Sequence, residues 1–191
     1  MFAQFNAFKR PIKIVNKEPE HAVFARVGKS SSSNFKSNFV YSCLLQENTK
    51  LENGDVFSAK TGIGQKENTF LVISVRRADS SIQATVYRCN GVAHIIRPST
   101  TTYDDNDMPI EEPPKAIADV PTNHVTVNAQ MRALDAGLLP STTKEFRLPI
   151  CDIKELDRIV LDGQNFCVDA IDCTKFDGLL AVQTSNDNRT I

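Results

Sequence analysis

Tryptophan is absent from this chain of 191 residues, histidine occurs three times, glycine eight times, and aromatic residues make up 7 %. Each shortage argues against a class of function. Few aromatics leave little platform on which single-stranded bases could stack. The histidines, His21, His94 and His124, are far apart in sequence. His94 falls inside a strand pattern, where a structural role is expected, because a general base needs a partner within reach. Neither GxSxG nor HExxH occurs. Gly62 and Gly64 in TGIGQKEN lack the third glycine of a dinucleotide loop, and no P-loop is present, so that stretch reads as a turn. With no nucleophile, base or metal set in evidence, the expectation is a non-enzyme with no catalytic residue and no cofactor.

Paired cysteines are also missing. Cys43, Cys89, Cys151, Cys167 and Cys173 make an odd set without a CxxC, which argues against a disulfide framework or a zinc ribbon. Cys43, Cys89 and Cys167 sit in apolar runs, where a thiol behaves as a small hydrophobe, and this usage fits a reducing compartment. No 18 apolar residues run together, so no membrane span is expected. The opening MFAQFNAFKRPIKIV lacks the continuous apolar stretch of a signal peptide. A net charge of −1 argues against a general nucleic-acid binder.

The distribution of charge is less even than its sum. Residues 1–40 hold seven basic residues, Lys9, Arg10, Lys13, Lys17, Arg26, Lys29 and Lys36, against Glu18 and Glu20. Residues 101–120 hold six acidic residues and only Lys115. Opposite blocks of this kind could register copies of the chain against one another, or could be solvated loops. Asp105 and Asp107 alternate as calcium ligands do. Pro109 occupies the next ligand position and the obligatory glycine is missing, so no metal site is expected. Asp104, Asp105, Asp107, Glu111 and Glu112 read instead as a channel-facing or partner-facing loop that would repel phosphates. Phe2, Phe5 and Phe8, spaced by three beside Lys9, Arg10 and Lys13, read as an arm. Such an arm could anchor on a neighbouring subunit or stack on single-stranded bases.

What the chain has in quantity is strand signal. TFLVISVRR (Thr69–Arg77) is β-branched and aromatic, and IQATVYRC (Ile82–Cys89) alternates Ile82, Ala84 and Val86 against Gln83, Thr85 and Tyr87. Asn90–Gly91 then precedes VAHIIR (Val92–Arg97), which predicts a type I′ hairpin. The same device recurs as RIVL, Asp162–Gly163, NFCVDAID, and a second tight connection at Phe176–Gly178 leads into LLAVQT, predicting a three-stranded meander. LENGDVF (Leu51–Phe57) and LDRIVLDG (Leu156–Gly163) form a weak internal echo. Two related small barrels would give it, and so would chance similarity among hairpins. KEFRLPI (Lys144–Ile150) reads as a further strand, and one short helix is predicted over Asn128–Gly137, with Asn128 as N-cap and Gly137 just past the end. Pro98, Pro109, Pro113, Pro114 and Pro121 argue against a helix or a central strand between them, and Gly28–Asn38 is a Ser-rich basic loop.

The expected class is therefore mainly β: a small barrel or sandwich with long loops, plus a β-rich C-terminal hairpin region and one short helix. Residues 1–97 are expected to form an N-terminal arm and barrel, 98–121 a Pro/acidic linker or long loop, and 122–191 a C-terminal β-rich region.

Gly54–Asp55 followed by TFLVISVRR and IQATVYRCN, and later LDRIVLDGQNFCVDAIDCTKFDGLLAVQ, resemble the β-barrel proteins of the tailed-bacteriophage neck. The resemblance is to head-closure (stopper) and related connector subunits and covers about half of the chain. It implies a virion structural protein, assembled in the host cytoplasm, that forms a ring around a DNA channel. The implied partners are copies of itself and neighbouring virion proteins on the portal/adaptor side and the tail side. DNA would pass through without sequence-specific binding, and no membrane is involved. The long Pro/acidic segment and the second β-rich part depart from that pattern and leave a tail-tube or baseplate position open. A single-stranded nucleic-acid-binding barrel is the other reading of the same strands.

Overall fold

The structure is a computed structural model that describes residues 6–26, 39–61, 66–78 and 81–189. Phe2, Phe5, the Ser-rich loop 28–38, and Gly62 and Gly64 lie outside the described residues. The chain divides into two compact units, Met1–Asn90 with Cys173–Leu180, and Gly91–Asp172 with Ala181–Ile191.

The first unit contains a closed six-stranded antiparallel barrel. Its strands are β1 (Arg10–Ile14), β2 (Glu20–Arg26), β3 (Val40–Leu45), β4 (Val56–Thr61), β5 (Lys66–Ala78) and β6 (Ser81–Arg88). They follow one another around the barrel as β1-β2-β3-β6-β5-β4, and β4 closes on β1. Alternation builds the core. Ile12, Ile14, Tyr41, Cys43, Leu45, Phe57, Ala59, Ile82, Ala84 and Val86 point inward from every second position. In β5 the period breaks at a bulge between Val72 and Ser74, and Phe70, Leu71 and Val72 are all buried. Phe57 stacks on Phe70 at 5.2 Å, and Tyr41 meets Phe70 edge-on at 5.6 Å. Each such pair is worth about 0.5–1.5 kcal/mol beyond its buried area.

The second barrel uses β7 (Gly91–Arg97), β10 (Lys115–Thr126), β11 (Lys144–Pro149), β12 (Arg158–Leu161), β13 (Gln164–Phe176) and β14 (Leu179–Asn186). Their order is β7-β10-β11-β14-β13-β12, closing on β7. Numbered within each barrel, both orders read first, second, third, sixth, fifth, fourth. The internal echo in the sequence thus corresponds to two barrels of one topology. Phe146 against Phe166 at 5.7 Å, with Ile95, Leu148, Ile159, Leu161 and Val168, fills the second core. Strand β11 is buried on both faces. Its outward pair Glu145 and Arg147 is 1 % and 2 % exposed, and the Arg147 guanidinium donates to Glu145 at 3.2 Å and to Asn123 at 3.0 Å.

The clearest match between the barrels is the turn that launches the fourth strand. In the first, the backbone N–H of Glu52 donates to the Asp55 carboxylate at 2.8 Å; in the second, that of Lys154 donates to Asp157 at 2.8 Å. The residue before each aspartate has left-handed backbone, Gly54 at φ +85° and Leu156 at φ +68°. Gly54 N–H donates to the Val72 carbonyl at 2.8 Å, and Leu156 N–H to the Val168 carbonyl at 2.9 Å. In return, the Val72 and Val168 N–H groups donate to the carbonyls of Asp55 and Asp157, both at 2.9 Å. A cation at or beyond the end of the first strand completes each turn, Lys17 from the β1–β2 connection to Asp55 at 2.8 Å and Arg97, the last residue of β7, to Asp157 at 3.1 Å. Equivalence therefore runs Leu51–Phe57 onto Ile153–Ile159, three residues earlier than the echo read from LDRIVLDG.

Several expectations need correction. Asn90–Gly91 is not a hairpin turn. Strand β6 pairs with β3 and β5, strand β7 pairs with β10 and β12, and neither Asn90 nor Gly91 has positive φ. The dipeptide is the point where the chain leaves one unit for the other, so Val92–Arg97 belongs to the second barrel. Residues 98–121 contain more regular structure than the expected Pro/acidic linker or long loop. They hold a two-stranded hairpin, β8 (Thr100–Tyr103) and β9 (Pro109–Glu112), and the first part of β10. Pro121 lies within β10, where that strand pairs with β7 alone; the ladder to β11 starts at Asn123. A strand free on one side tolerates a residue without an N–H. The helix α1 spans Ala129–Leu134 and is capped by Asn128 as expected, but Asp135, not Gly137, ends it. By contrast Asp162 and Gly163, at φ +51° and +77°, form the expected hairpin turn, and β12, β13 and β14 are the expected meander.

Candidate functional site

The first barrel joins its first two strands through residues 15–19, whereas the second uses residues 98–114. The extra length is the β8–β9 hairpin, paired Thr100 to Glu112, Thr101 to Glu111, Thr102 to Ile110 and Tyr103 to Pro109. A long connection beyond what closure of the barrel requires is where function usually resides. All five acidic residues expected to act together fall on this hairpin, and residues 98–114 contain no Lys or Arg.

The carboxylates do not share one role. Asp104 folds the tip: it accepts the N–H groups of Asn106 and Met108, both at 2.8 Å, while its own N–H reaches the Met108 carbonyl at 3.0 Å. Those two N–H donors, Met108 first, hold the Asp104 carboxyl below its ordinary range. Asp107 sits in the left-handed region at φ +57°, a conformation that Asp tolerates better than most side chains. Asp105, Asp107, Glu111 and Glu112 are exposed.

The same hairpin displays apolar groups that the reading of the sequence missed. Tyr103 is 68 % exposed, Met108 62 % and Ile110 50 %. Their signal was available: three large apolar residues stand inside a run otherwise made of Ser, Thr, Pro, Asn, Asp and Glu. The hairpin pairs with no strand of either barrel, and an isolated two-stranded ribbon is marginal in water.

Phe8, at the end of a short 3₁₀ turn, is 66 % exposed, while Phe2 and Phe5 lie outside the described residues. His94 pairs across the strands with Asp119 at 2.7 Å. His124 is held below its ordinary range by burial. Burial likewise pushes the Cys43 thiol up, and the Cys89 thiol up to about 12, so neither supplies thiolate near neutrality. Among the described residues no group of three His, Cys, Asp or Glu could hold a metal ion, and no helix is long and apolar enough to cross a membrane. No known family model, curated protein or solved structure matches the chain.

Proposed function

We propose that this chain is a structural protein of a tailed-phage virion, a neck subunit of the connector or stopper kind that oligomerises into a ring around the DNA channel. The resemblance of its hairpin segments to neck proteins supports the class. One observation carries the assembly: a hairpin with five carboxylates and no cation that holds Tyr103, Met108 and Ile110 in solvent. Exposed apolar groups on an otherwise polar surface mark contact sites. Barrel closure pairs most strand edges, which leaves little of the edge-to-edge route by which small sheets usually associate. The two strands outside the barrels, β8 and β9, take that role. The expected partners are copies of the chain and the virion proteins above and below the ring.

Sedimentation velocity and mass photometry of the purified chain test the proposal, together with mass spectrometry of purified particles. A closed oligomer of discrete size, and a matching copy number in virions, are expected. A monomer at every concentration, or absence from particles, overturns it. Tight binding of an oligonucleotide with a steep salt dependence would favour the nucleic-acid-binding barrel instead.

A further inference from the structure

We infer that the β8–β9 hairpin of one copy docks on the outer face of β1 in the next copy. The inference rests on the reading of the chain as a ring subunit and names the contact that would build the ring. On β1, Ile12 and Ile14 point into the core, so Pro11 and Lys13 point out, and Val15 just beyond is 55 % exposed. His21 lies opposite Pro11 on β2, and Ser58 lies opposite Lys13 on β4. Lys60, two positions along β4 from Ser58, shares its face and is exposed. Glu67, opposite Lys60 on β5, accepts from the Ser58 hydroxyl at 3.0 Å on the same face.

This surface mirrors the hairpin in both kinds of chemistry. Lys13 and Lys60 oppose Asp105, Asp107, Glu111 and Glu112, and Pro11 and Val15 match Tyr103, Met108 and Ile110. The apolar tip favours a protein partner over a channel wall, because a hairpin that only lined water would gain nothing from Tyr103 and Met108. A second copy is the occupant because the complementary charge lies on this chain. The two patches differ, so the contact is heterologous and generates a ring when its rotation closes. Charge pairing of this type sets partner choice and encounter rate more than raw affinity.

The test uses the full chain. One variant carries Asp105→Lys, Glu111→Lys and Glu112→Lys; a second carries Lys13→Glu and Lys60→Gln. All five side chains are exposed, so both variants should keep the wild-type circular dichroism and melting temperature. Each alone should shift assembly, read by sedimentation velocity, to protein concentrations roughly a hundredfold higher, since like-charge juxtaposition in an interface is strongly unfavourable. Mixed in equal amounts, they should recover oligomers. A third variant, Tyr103→Ser with Met108→Ser, keeps the charge and should also weaken assembly. If wild type assembles and neither charge variant changes it, the contact is wrong while the ring stands. If wild type never assembles, the ring reading fails first and takes the contact with it.

Discussion

At the residue scale, the repeated turn sets a controlled comparison inside one molecule. Gly54 and Leu156 hold the same left-handed position, yet only the first must be glycine. A Cβ on Gly54 would lie 2.2 Å from the Gly178 carbonyl oxygen, a backbone atom that cannot step aside. Leu156 projects into solvent at 65 % exposure, and its carbonyl accepts from Arg189 at 3.0 Å. Gly54→Ala should therefore cost about 2–4 kcal/mol, adding left-handed strain to a backbone clash. Leu156→Gly should be neutral to stabilising by about 1 kcal/mol, because strain is relieved and little burial is lost. Urea unfolding followed by far-UV circular dichroism measures both. Asp187 gives a second test. Its side chain is 1 % exposed and accepts from Arg189 Nε at 2.9 Å and Arg158 Nε at 2.8 Å. Arg189 first, and Arg158 with it, hold its carboxyl well below the usual carboxylate range. A depressed folded pKa stabilises above the unfolded value of about 3.9, and that stability is lost as pH falls through the depressed value. Asp187→Asn should cost about 3 kcal/mol at pH 7 by leaving Arg158 buried without its counter-charge. The gap between variant and wild type should narrow steadily below pH 4. Equal gaps in urea midpoint at pH 7 and pH 3 would contradict this account.

At the element scale, the β8–β9 hairpin is held by its own tip. Removing the Asp104 carboxylate strands two N–H groups in an element that pairs with no other strand. Asp104→Ala should speed proteolytic cleavage within residues 103–109 several-fold. The melting temperature of the chain should stay within about 1 °C, since an exposed element contributes little to global stability. A fall of the whole transition would mean that the hairpin is integral to its barrel. The hairpin also illustrates what local sequence can and cannot convey. Asp162–Gly163 and Asn90–Gly91 are equally good turn signals, and only the first bends the chain back on itself. A Cβ on Gly91 would lie 2.6 Å from the tip of the Leu161 side chain, which would have to turn aside. Alternation identified most strand faces correctly, because side-chain period is a local property. Which strand pairs with which depends on contacts distant in sequence, and two adjacent strands can belong to different barrels. The acidic residues were legible as a group, since all five fall within residues 104–112. The prolines concealed the hairpin, because Pro109 opens β9 and Pro113 follows its end, both compatible with an exposed strand.

At the scale of the whole molecule, the two units are interleaved in sequence. The first barrel's unit is completed by Cys173–Leu180, which follows most of the second barrel along the chain. Within that unit Asn53 donates to Asp177 at 2.6 Å and accepts the Val75 N–H at 2.7 Å, and Gly54 packs on the Gly178 backbone. Tyr87 meets Phe176 edge-on at 6.5 Å. A break after Asn90, the boundary that the contacts themselves offer, would leave the strands of the first barrel intact but strip these partners away. The fragment Met1–Asn90 should therefore fold into a barrel that unfolds at markedly lower urea than the same strands in the full chain. Adding a peptide spanning residues 172–181 in trans should recover part of the loss, by mass action on the folded form. Asn53→Ala in the full chain should reproduce a fraction of it, because both its contacts vanish together. If the fragment were as stable as the full chain, and indifferent to the peptide, the Gly54–Gly178 packing would be incidental. Gly54→Ala would then have to be explained by backbone strain alone.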